Sequence, residues 1–167
     1  MFFTKRKAII LIIICSIFFI LTYNDVRSEE IKEISGKAKI IDGDTIKINS
    51  KKIRLHGIDA PELNQNCLFN DKVWNCGKES KKFLINFINN KKISCKLIDT
   101  DRYKRHIGIC FKDKINLNKK IVQEGWAIAY RYYSKDFVDD EKVAKINKSG
   151  IWKGDFEEPY LFRKKNK

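Results

Sequence analysis

The chain has 167 residues, with 35 Lys and Arg against 21 Asp and Glu and a net charge of +14 at neutral pH. That length allows one domain with a modest core. The charge favours a polyanionic partner, although lysine is abundant along with Ile and Asn and a compositional bias would enrich it unaided. With His56 and His106 the only histidines and no C-x-x-C pair, neither a zinc site nor a histidine-based mechanism has much to build on.

The first segment reads as a targeting sequence. Lys5-Arg6-Lys7 precedes an uncharged run from Ala8 to Tyr23, the layout of a secretory signal. The run is longer than a usual signal core and shorter than the roughly 20 residues that span a bilayer. Val26-Arg27-Ser28 suits cleavage after Ser28; an uncleaved membrane anchor through residues 8–23 is the alternative. Cys15 lacks the small residues before it that a lipoprotein site needs. Either route exports residues 29–167, to the periplasm, the medium or the outer face of the inner membrane. Without residues 1–28, which hold four basic and one acidic residue, the charge falls from +14 to +11.

Four cysteines follow, Cys67, Cys76, Cys95 and Cys110. An even number in an exported domain favours disulfides, with three connectivities open. The local pairs Cys67–Cys76 and Cys95–Cys110 are preferred, the second stapling neighbouring strands at about 3 kcal/mol on the loop-entropy account.

From Lys37 to Ile58 the chain reads as three strands, with Ile46 and Ile48 alternating against Lys47 and Asn49. Ala60 precedes Pro61 and is held extended, ending the third strand. Residues 78–90 change to a helical period, Phe83, Leu84, Phe87 and Ile88 forming the stripe and Asn89-Asn90 the stop. "KISCKLID" and "HIGICF" form a second strand pair joined by residues 100–105. A short helix capped by Asn116 ends at Gly125, a last helix covers about 136–148 with Gly150 as its stop, and the lysine-rich tail after Phe162 frays. No repeat or linker divides the chain. The order gives an α+β, β-rich fold: a five-stranded OB-fold barrel with about three packed helices, a barrel that often binds oligonucleotides.

Charged residues recur at the turns and strand ends. Asp42-Gly43-Asp44-Thr45 is a tight link with two carboxylates. Arg54 lies in the third strand, Asp59 and Glu62 flank Ala60-Pro61, and Arg102 and Arg105 occupy the next turn. Hard oxygen ligands without sulfur or nitrogen suit Ca²⁺ or Mg²⁺. Guanidinium groups suit the charge that develops on a phosphodiester under attack, and a carboxylate beside the cation can activate water. Each piece alone is ordinary: Asp-Gly is a common turn and Arg54 alone is a solvated strand residue. The two histidines read as surface or edge residues. The ordered set is specific.

"IIDGDTIKI", "IRLHGIDAPE", "DRYKRHIG" and "GWAIAYRYY" resemble, in order, the signature segments of the staphylococcal nuclease-like (thermonuclease) family, from about Ser35 to Trp152. The resemblance implies an OB-fold nuclease that hydrolyses DNA and RNA with Ca²⁺ and leaves 3′-phosphate ends. It assigns Asp44 and Asp59 as calcium ligands, with the backbone carbonyl of Ala60 as the third. Many members carry threonine there, and alanine keeps the carbonyl. Glu62 would activate water, Arg54 and Arg105 would clamp the phosphate, and Tyr130 and Tyr132 would line the nucleotide pocket. Lys104 replaces the glycine of the usual Asp-x-Tyr-Gly-Arg turn. A positive φ there would cost about 1 kcal/mol, while the lysine could add a phosphate contact. Retention of all five charged side chains favours the enzyme over a non-catalytic nucleic-acid-binding domain, and over a lysine-rich envelope protein held to acidic polymers by charge. Nothing suggests more than a monomer.

Overall fold

A single long strand organises the barrel. The computed structural model describes residues 32–166, so the signal or anchor expected over residues 1–28 lies outside the described residues. Strand β1 (Lys32–Ile40) begins upstream of the expected Lys37 and serves two partners. Its first half pairs antiparallel with β7 (Lys92–Thr100) and its second with β2 (Thr45–Ile48). Strand β3 (Lys51–Leu55) follows β2 through a turn in which Asn49 takes a left-handed φ of 53°. Strand β8 (His106–Lys112) pairs antiparallel with β7 and parallel with β3, which closes β3-β2-β1-β7-β8 into the expected five-stranded barrel.

The period-two pattern explains what fills it. Ile46, Ile48, Ile53 and Ile93 are fully buried inside, each worth roughly 1.5–3 kcal/mol over an exposed position. One buried amide bolts the parallel seam. Asn118 Nδ2 donates to the carbonyls of His56 (2.9 Å) and Gly108 (3.1 Å), and its Oδ1 accepts from the Cys110 N–H (3.1 Å). Both expected disulfides are present; Cys95 and Cys110 face each other across β7 and β8.

Helix α1 (Cys76–Ile88) is capped by Asn75, whose side chain accepts from the Lys78 N–H at 2.6 Å, and ends on Asn89 in the left-handed region. Asn116 caps α2 (Leu117–Gln123) as expected, and Gly125 turns the chain away at φ 71°. Helix α3 (Val138–Ile146) is shorter than expected at both ends, and Gly150 opens a 3₁₀ turn (Gly150–Lys153) instead of stopping a helix.

Short strands β4 (Ile58–Asp59) and β10 (Ile128–Ala129) pair with each other, and β9 (Ile115–Asn116) edges β8. A hairpin of β5 (Cys67–Phe69) and β6 (Lys72–Trp74), which the sequence did not announce, is closed at its base by the Cys67–Cys76 disulfide.

The tail requires a correction. Residues after Phe162 do not fray: α4 (Pro159–Lys165) is a fourth helix, with Pro159 preset for its first turn. The chain reaches it by an exchange of hydrogen bonds between Leu68 and Asp155, both 2.8 Å. Among the described residues, no helix is long and apolar enough to cross a membrane.

Candidate active site

The site is built where β2, β3 and β4 end together. Thr45 lies opposite Arg54 in the β2–β3 register, so Asp44 stands beside that arginine. Strand β4 then brings Asp59 back to the same point. Arg54 spans the two carboxylates: Nη1 lies 2.8 Å from Asp44 Oδ2, and Nη2 donates to Asp59 Oδ1 at 3.0 Å. Asp44 Oδ2 also accepts the Ala60 N–H at 2.9 Å, and Oδ1 accepts the Thr45 hydroxyl at 3.0 Å. The close approach of this link to α1 explains Gly43, where any Cβ would collide with Ser80 and Ala60.

Asp59 is completely buried. Burial raises its carboxyl above the ordinary range, and Asp44 adds to the rise against the opposing pull of Arg163 and Arg54. Burial, and then Asp44, push Asp42 up to about 7.

Glu62 enters through the tail helix. Arg163 Nη1 donates at 2.8 Å to both Asp59 Oδ1 and Glu62 Oε1, while its Nη2 reaches Asp59 Oδ2 at 3.0 Å. The loop carrying Glu62 is pinned by Gln65, a fully buried amide. Its Oε1 accepts the Glu62 N–H at 3.1 Å and its Nε2 donates to the Glu157 carbonyl at 2.6 Å. Neither Arg163 nor Gln65 was singled out from the sequence. The available signal was Pro159, preset for a helix start and buried where the helix docks.

Arg105 stands on the Asp44 side. Its Nη1 lies 3.5 Å from Thr45 Oγ1, and its Nε donates to Asp101 Oδ2 at 2.8 Å. Asp101 organises that turn by also accepting the N–H groups of Tyr103 and Arg105, both at 2.9 Å.

Comparison with known proteins agrees with this geometry. The sequence pattern described as "Staphylococcal nuclease homologue" matches residues 52–154. The protein "Uncharacterized endonuclease" of Haemophilus influenzae is 32% identical over 148 residues, covering 84% of this chain and 78% of that one. The chain belongs to the staphylococcal nuclease family. The "Micrococcal nuclease" of Shigella flexneri is 29% identical, covering 77% of this chain and 79% of that one. "Succinoglycan biosynthesis protein ExoI" of Rhizobium meliloti is 36% identical over 72% of this chain, which spans 65% of that protein.

As a family member, the chain departs from pattern at Lys104. Its φ is 62°, so lysine does adopt the left-handed backbone that the family's glycine serves, and its N–H is held by the Asp101 carbonyl at 2.9 Å. Arg105 nevertheless reaches the Asp44 side, because the Asp101 carboxylate fixes the turn independently of residue 104. The two expected pocket tyrosines differ. Tyr130 is half-buried near Asp59, and burial followed by that carboxylate's charge raises its hydroxyl. Tyr132 is 81% exposed, its ring 6.2 Å from that of Tyr130.

A divalent cation fits the donor chemistry. Asp44 and Asp59 offer hard oxygens in a pocket where two arginines do not offset the burial of Asp59. Among the described residues, no three His, Cys, Asp or Glu side chains form a metal-binding group. A cation here would therefore draw its remaining ligands from backbone or water oxygen.

Proposed function

We propose that this chain is an exported, calcium-dependent nuclease that hydrolyses phosphodiester bonds of DNA and RNA and leaves 3′-phosphate ends. The observation that carries the reading is Arg54 forked across Asp44 and Asp59, with Glu62 linked through Arg163 to the same Asp59. Calcium would be held by Asp44, Asp59 and the Ala60 carbonyl; when bound it supplies positive charge to a phosphoryl oxygen and acidifies water.

The side chains account for the rest. Glu62, with its side chain 35% exposed, is reachable by a water molecule and takes its proton as that water attacks phosphorus. The bond to the 5′ oxygen breaks, and that oxygen leaves with a proton from solvent. Arg54 and Arg105 stay charged throughout and neutralise the phosphoryl oxygens as negative charge grows on them. Tyr130 offers a face for a base and Tyr132 extends it toward solvent, a contact that tolerates any sequence. Lys104, on an exposed turn, adds a phosphate contact. The two disulfides support a location outside the cytoplasm.

The test is degradation of single-stranded DNA and of RNA by the oxidised protein, with Ca²⁺ and with chelator. Degradation that needs calcium and yields 3′-phosphate ends is expected. Salt-sensitive binding without degradation under either condition would overturn the reading in favour of a binding domain.

A further inference from the structure

Arg163 is bound where a cation is expected. A carboxylate has about four lone-pair sites. On Asp59, Oδ1 has used both with Arg54 and Arg163, and Oδ2 has used one with Arg163. On Asp44, Oδ2 has used both with Ala60 and Arg54, and Oδ1 has used one with the Thr45 hydroxyl. The two carboxylates thus keep one site each, and a cation seated between them competes, in charge and in lone pairs, with the guanidinium groups already there.

The two arginines are not equally fixed. Arg54 lies inside a central barrel strand with its side chain 14% exposed; Arg163 sits on a seven-residue terminal helix with its side chain 32% exposed. Arg163 alone also grips Glu62. The segment leading to α4 keeps anchors that do not involve Arg163, namely the Leu68–Asp155 exchange and the Gln65–Glu157 bond. The guanidinium can leave without undocking that segment.

We infer that Arg163 is a positioning residue that holds Asp59 and Glu62 in place of the metal, and that cation binding displaces it, so that α4 docking and metal binding oppose each other. The inference rests on the calcium-binding reading above. Because such coupling is reciprocal, the metal must loosen α4 by as much as α4 weakens the metal. Release also frees Glu62 from the guanidinium at the moment the cation arrives.

The experiment is calorimetric titration of the full-length, oxidised chain with CaCl₂, as wild type, Arg163→Ala, Arg163→Lys and Asp59→Asn. Arg163→Ala should bind calcium roughly tenfold more tightly than wild type, with Arg163→Lys between them. A merely structural arginine predicts the opposite sign. In wild type, calcium should speed amide exchange over residues 159–165, a measurement that needs no variant to fold. Equal or weaker calcium affinity in Arg163→Ala, or exchange unchanged by calcium, would overturn the inference and leave the nuclease reading intact. Wild type binding no more calcium than Asp59→Asn would overturn the calcium reading, and this inference with it.

Discussion

Two carboxylates are shut off from solvent, Glu141 in α3 and Asp59 at the barrel mouth, yet their surroundings push them in opposite directions. Glu141 Oε2 meets Arg131 Nη2 at 2.5 Å and Lys145 at 2.9 Å, while Oε1 accepts the Ala129 N–H at 3.0 Å. Burial would raise its carboxyl, but these partners outweigh it and hold it below the ordinary range. Asp59 has two arginines and remains raised, because its deeper burial and then the charge of Asp44 beside it outweigh them. One carboxylate is fully matched and ties α3 to β10. The other keeps an unmet demand for positive charge, as expected where a cation binds.

That contrast is most sharply tested by turnover. Glu62→Gln should lower the rate by roughly 10²–10⁴-fold with single-stranded DNA affinity largely retained; wild-type rates would remove it as the base. Asp59→Asn should abolish calcium-dependent cleavage while moving the metal-free unfolding midpoint less than Glu141→Gln does. Glu141→Gln should cost about 1–3 kcal/mol in denaturant unfolding, the range for a buried polar group that loses its partners, and leave calcium affinity unchanged. Equal stability losses from the two substitutions would break the comparison.

Removing the second staple with Cys95→Ala and Cys110→Ala together should cost about 3 kcal/mol, with kcat per folded molecule preserved. The pH dependence carries the same contrast. A lowered Glu141 contributes stability that is present above its unfolded value of 4.5 and lost as pH falls through the folded one. A raised Asp59 does the reverse without metal, its share being lost as pH rises above 3.8. Thermal melts of wild type and Glu141→Gln should therefore converge at acid pH. Lys104→Gly should be the mildest change, a gain of up to about 1 kcal/mol from relieving the left-handed backbone; a loss would show that the lysine side chain stabilises its turn.

The barrel could be read from sequence because its signals are local. Alternation at Ile46 and Ile48, the cap Asn116 and the turn at Asn89 each depend on a few neighbouring residues; the cap Asn75 lies just ahead of the expected helix start. Asp44, Arg54 and Asp59 were found because they lie within one short stretch and match an ordered motif. What escaped depends on distant contacts. Arg163 meets Asp59 across 104 residues and Gln65 meets Glu157 across 92, and neither pairing leaves a local trace. The lysines around Arg163 made the tail look like a solvated charge run, when the buried Pro159 and the ion pairs of Arg163 hold a helix there. The β5–β6 hairpin escaped for a related reason: its strands are too short to show a period, and a disulfide supplies what alternation does not.

That long separation between Asp59 and Arg163 has a consequence for synthesis. The chain emerges with Asp44, Asp59 and Glu62 already made, and the guanidinium that bridges the last two follows 101 residues after Glu62. A growing chain whose barrel has begun to form therefore carries an acidic cluster still lacking one of its counter-charges, and soluble cations are the only substitute then at hand.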